Sequence, residues 1–189
     1  MVSQEGYKYL TTYKLSVLIY DLTAVFCEHF LSFKSPKYPN FPNIYNSRTV
    51  DQMVQAGRSG KQNIAEGYSQ GTSLKGYIKL LGIAKGSIQE LLEDYEDFLR
   101  QRNLPLWGKD DGKVRVFREF RVDWVSENLL NSPISLINPI DPTEFANLLV
   151  TLCRQELFLM VKQIKSLEEK FVKDGGWSEN LFKKRIQNR

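Results

Sequence analysis

The chain of 189 residues contains one histidine, His29, and two cysteines, Cys27 and Cys153, with no Cys-x-x-Cys spacing. A zinc site draws three or four ligands from these residue types, and so small a set leaves no metal site to expect. His29 follows Cys27 and Glu28 directly; none of the three is a helical neighbour of another, so they do not form a ligand pair. The two cysteines fall on different predicted helices, where a disulfide is conceivable and reduced core thiols are the expectation. Long apolar runs are also missing. The stretch Phe145 to Cys153 is too short and too polar to cross a bilayer, and Met1 to Gly6 shows neither the basic nor the apolar region of a secretory signal. A cytoplasmic location with no membrane partner is expected. The segment Gly57-Arg58-Ser59-Gly60-Lys61 comes nearest to a phosphate-binding loop, but Gln55 and Gln62 stand where that loop needs Gly and Ser or Thr.

What is present is a globular composition, 42% hydrophobic and 25% charged, which is inconsistent with a disordered chain. The net charge of +4 belongs to the end of the chain: residues 162 to 189 carry eight Lys or Arg against four Asp or Glu, leaving the remainder neutral. Apolar residues recur at three- and four-residue spacing in four stretches, predicting helices over about 12–33, 49–68, 73–102 and 142–172. Leu15, Leu18, Ile19, Leu22 and Phe26 carry the first stripe, and Leu81, Ala84, Ile88, Leu91 and Tyr95 the third. Thr49-Val50-Asp51-Gln52 has capping-box spacing, either Thr72 or Ser73 suits an N-cap, and Asp141-Pro142-Thr143-Glu144 combines an acidic cap with proline at the first helical position. Pro36, Pro39 and Pro42 mark a loop between the first two helices. The expected fold is all-α: an antiparallel four-helix bundle in one domain over 1–189. An irregular or short-helical insertion spans 105–140, and a basic tail spans 175–189.

Arg58-Ser59, Asn63-Ile64-Ala65-Glu66-Gly67 and Ala84-Lys85-Gly86-Ser87-Ile88-Gln89-Glu90-Leu91 together resemble the signature of the bacterial four-helix-bundle family. That family comprises the ribosomal RNA intervening-sequence proteins and the accessory variability protein of diversity-generating retroelements. Leu104-Pro105-Leu106-Trp107 and Gly175-Gly176 are similar to features of its suffix-domain branch. The resemblance runs from about Tyr13 to Trp177. It implies a homo-oligomer, a pentamer in characterised relatives, and binding of nucleic acid and of a protein partner such as a reverse transcriptase. It implies no catalytic residue.

Three groups of residues stand out as candidate sites. Lys75, Lys79, Gly82, Gly86, Glu90, Glu93 and Asp97 fall on one face of the third helix, basic at its start, bare in the middle and acidic at its end. Gly82 and Gly86, with Glu90 and Glu93, suit either close packing against the second helix or a head-to-tail seam between subunits. Arg58, Lys61, Lys75 and Lys79, joined by Lys183, Lys184 and Arg185 of the tail, form a candidate nucleic-acid-binding patch with few aromatics. Arg58, Asn63, Glu66, Ser87 and Glu90 read as a buried polar network that sets helix register rather than as acid–base machinery, since no nucleophile or metal set accompanies them. A non-enzymatic binding or assembly module without a cofactor is therefore expected. The alternative is a pure protein-interaction scaffold working through the arginine- and aromatic-rich segment Val114 to Trp124.

Overall fold

The helix ends have identifiable local causes. In a computed structural model, which describes residues 6–31, 47–70, 73–119 and 141–187, a 3-10 turn Gly6–Tyr9 precedes six α-helices. These are α1 (Thr11–Phe30), α2 (Ser47–Ser69), α3 (Leu74–Gln101), α4 (Gly112–Glu119), α5 (Pro142–Asp174) and α6 (Trp177–Gln187). The Ser73 hydroxyl accepts a hydrogen bond from the Gly76 amide at 3.1 Å and starts α3. The Asp141 carboxylate accepts from the Glu144 amide at 2.8 Å, with Pro142 behind it, and starts α5. Gly175, at φ 73°, ends α5. The described residues contain helices and turns but no strand, and none of their helices is long and apolar enough to cross a membrane.

One sequence expectation shifts. Helix α2 begins at Ser47, so Thr49 and Gln52 lie inside its first turns rather than flanking it. The tail beyond Gly176 forms α6, and the insertion contains α4, which covers Val114 to Glu119 of the arginine-aromatic segment. Phe120, Arg121 and Trp124, the rest of residues 120–140 and the prolines between α1 and α2 lie outside the described residues.

Helices α1, α2, α3 and α5 share one apolar core. Phe26 of α1 is its centre, with ring centroids 4.8 Å from Phe98, 5.2 Å from Tyr95 and 5.6 Å from Phe145. Burying each such ring contributes about 1.5–3 kcal/mol. Cys27 and Cys153 are both free and buried. Burial pushes both thiols up, Cys27 to about 12, which keeps them protonated and unreactive.

The glycines of α2 let its neighbours approach. A Cβ on Gly57 would lie 3.3 Å from the Tyr20 backbone of α1, and one on Gly60 2.9 Å from the Ile88 side chain of α3. At Gly67 it would lie 2.6 Å from the Tyr77 ring, which is held by a 2.7 Å hydrogen bond from Gln163 to its hydroxyl. Gly67→Ala must displace that ring, so a loss of about 1–2 kcal/mol is expected by chemical denaturation despite the better helix propensity of alanine.

The insertion is fastened to α5 by Asn147. Its side-chain oxygen accepts from the Trp107 amide at 2.8 Å, and its amide nitrogen donates to the Pro105 carbonyl at 2.9 Å. Leu104 to Trp107 is thereby pinned beside the start of α5, where Trp107 stacks on Phe117 of α4 with centroids 6.3 Å apart.

Candidate assembly face and basic end

Gly82 and Gly86 sit on the outer face of α3, where an added Cβ would meet no described atom within 4 Å. Packing against α2, one of the two roles their spacing suggests, is therefore not what holds them: the glycines that face a neighbouring helix are Gly57, Gly60 and Gly67. Each helical glycine costs about 1 kcal/mol against alanine, and nothing described inside the chain offsets this at 82 and 86. Ile83 between them is 45% exposed.

Charge on this face is segregated. Lys75 and Lys79 are exposed before the glycines, and Glu90 and Glu93 are exposed after them. Asp94 lies beside the acidic end in a groove of about 500 Å³ between α2 and α3, lined also by Gln52, Gln55, Ser59, Ser87 and Glu90. Burial pushes the Asp94 carboxyl up to about 6, helped by the negative charges of Asp97, Glu90 and Glu93. Among the described residues no cation pairs with Glu90, Glu93 or Asp94, whereas Asp97 is bridged to Arg100 at 2.7 Å.

The candidate nucleic-acid patch comes together only in part. Lys75 shares a cleft with Phe171, Gly176, Trp177 and Glu179, so the α5–α6 elbow stands at the same end as the α2–α3 turn. Lys183, Lys184 and Arg185 are exposed on α6, as is Lys79 on α3. Lys61 does not join them. Its ammonium lies 4.0 Å from the centre of the Tyr20 ring on α1, roughly 13 Å of helix from the α2–α3 turn. Arg58 is exposed one turn further away.

The polar network is smaller than its five candidates. Ser87 donates to Ser59 at 2.9 Å, and Asn63 donates to the same Ser59 hydroxyl at 3.1 Å and to its carbonyl at 2.9 Å. This links α2 to α3 through Ser59, which sequence reasoning left out. Arg58, Glu66 and Glu90 stand exposed outside it.

A second polar line, through α1, α3 and α5, was missed altogether. Thr12 donates to Gln163 at 2.9 Å, and Gln163 donates to Tyr77 at 2.7 Å. Ser16 donates to Glu156 at 2.8 Å, and Thr23 and Tyr95 share a hydrogen at 2.7 Å. Glu156 is fully buried, its Oε2 has no partner among the described residues, and burial raises its carboxyl well above the usual range despite the Ser16 bond. The signal was available: position 156 falls midway between Leu152 and Met160 on the buried stripe of α5. Among the described residues no group of three or more His, Cys, Asp or Glu is arranged to hold a metal ion.

No family model, curated protein or solved structure matches the chain.

Proposed function

We propose that the chain is an assembly module of the bacterial four-helix-bundle family, its four long helices forming the antiparallel bundle and α3 the seam between copies. The observation that carries this reading is the pair Gly82 and Gly86, two helix-weakening residues turned outward with nothing described against them. A partner helix would approach closely over that bare turn. The Lys75–Lys79 end of one copy would meet the Glu90–Glu93 end of the next, a head-to-tail contact that closes into a ring when the rotation permits. Family resemblance makes that ring a pentamer. The module is non-enzymatic in this reading.

The repeated Lys75, Lys79 and α6 cations then form a basic rim that takes RNA or DNA by its phosphates, with little sequence preference. Particle mass tests the assembly; a salt series with duplex DNA and structured RNA tests the binding. Affinity is expected to fall linearly with log salt, and Lys75→Glu with Lys79→Glu should weaken binding at least ten-fold and flatten that slope. Unchanged affinity in the double variant contradicts the basic-rim half. The second reading, a protein-docking scaffold, draws on the exposed Val116 of α4 and predicts a partner whose binding Val116→Asp abolishes.

A further inference from the structure

A cleft of about 500 Å³ lies between α4 and α5, on the side chains of Lys109, Val114, Arg118, Thr151, Arg154, Gln155 and Phe158. Three of these seven are cations and none is an acid. Val114 and Thr151 are buried, and the Thr151 hydroxyl donates to the Asn147 carbonyl at 2.8 Å. The Phe158 side chain does the opposite of what its hydrophobicity asks: it is 58% exposed, with the Lys162 ammonium 4.4 Å from its ring centre.

The walls of the cleft are fixed in place. Gln155 donates to the Arg118 carbonyl at 3.3 Å, tying the end of α4 to α5. Arg154 is held by Glu96 of α3 at 2.8 Å, which orients its guanidinium while leaving other N–H donors for a second acceptor. An aromatic side chain 58% exposed, in a cleft lined by three long cations and no acid, matches the chemistry of a nucleotide unit. The base stacks on the ring and the flanking phosphates meet the cations. An acidic peptide would use the cations but has no need of the open ring, and a duplex hides its base faces.

We infer that the α4–α5 cleft binds single-stranded nucleic acid, with Phe158 as the stacking platform and Lys109, Arg118 and Arg154 as the phosphate-binding groups. This site shares no residue with the Lys75–Lys79 end and does not depend on assembly through α3, so either can fail without the other.

The test is fluorescence anisotropy of a labelled oligothymidine with the full chain across a potassium chloride series. Phe158→Ala is expected to weaken binding roughly 5- to 100-fold, the range for one stacked base, with the salt slope unchanged. Lys109→Ala with Arg118→Ala should reduce the slope by about 0.7 for each phosphate that the variant leaves unneutralised. Phe158→Trp should retain binding, and its indole fluorescence should be quenched as oligothymidine is added. Lys109, Arg118 and Phe158 are all exposed, so these variants should fold, and unchanged circular dichroism confirms it. The inference is overturned if wild type does not bind the oligomer, if Phe158→Ala binds as wild type does, or if an oligoglutamate peptide displaces the probe from wild type and Phe158→Ala alike. It is equally overturned if only Lys75→Glu with Lys79→Glu reduces binding.

Discussion

Glu156→Met is expected to stabilise the protein at neutral pH. The wild-type carboxyl is fully buried, with Ser16 of α1 on one oxygen and no described residue bonded to the other. Burial raises its pKa well above 4.5, so the folded chain keeps a proton that the unfolded chain releases. The sign follows from linkage: the folded state binds more protons above pH 4.5, and stability therefore falls as pH rises from there toward the folded-state pKa. At pH 7 the retained proton opposes folding. Methionine has a similar side-chain length, needs no partner, and suits the apolar stripe of Leu152 and Met160. The denaturation midpoint should rise by about 2–4 °C per kcal/mol recovered. Much of the decline in stability between pH 4.5 and 7 should also disappear. Asp94, raised to about 6, leaves a smaller decline of the same sign in the variant. Equal stability of variant and wild type at pH 7 would contradict the buried, protonated carboxyl.

The outward glycines of α3 lead to an effect of opposite signs on two readouts. Gly82→Ala with Gly86→Ala adds side chains where the described chain has open space. The folded subunit should therefore become more stable by about 1 kcal/mol per substitution. The same methyl groups hold a partner helix away from the bare turn, so assembly should weaken. Gly82→Leu with Gly86→Leu should shift dissociation at least ten-fold. A merely solvated face predicts the first effect without the second.

Much of the architecture was legible because it rests on local rules. The Asp141-Pro142 start works within a few residues and lies where the pattern placed it, and Ser73 is one of the two residues that suited the cap of α3. The stripes of α1 and α3 were readable for the same reason: burial on one face imposes the period. What escaped was pairwise. A Gly-x-x-x-Gly spacing says that a face is bare, not which neighbour it faces, and sequence alone left Gly82 and Gly86 divided between α2 and a second subunit. Charge alone groups Lys61 with Lys75, yet its ammonium lies over the Tyr20 ring, because a cation is drawn to an aromatic face within reach. Ser59 joined the polar network and Arg58, Glu66 and Glu90 did not, since one residue along a helix is a rotation of about 100°. The cleft under Phe158 needed two elements, α4 and α5, whose meeting no spacing encodes.

Sedimentation velocity of the wild-type chain at micromolar concentration tests whether α3 joins copies of this protein. A particle several times the 21.9 kDa subunit is expected, driven back toward subunit mass by Gly82→Leu with Gly86→Leu. A wild-type chain that sediments as a 21.9 kDa monomer at every concentration contradicts that expectation.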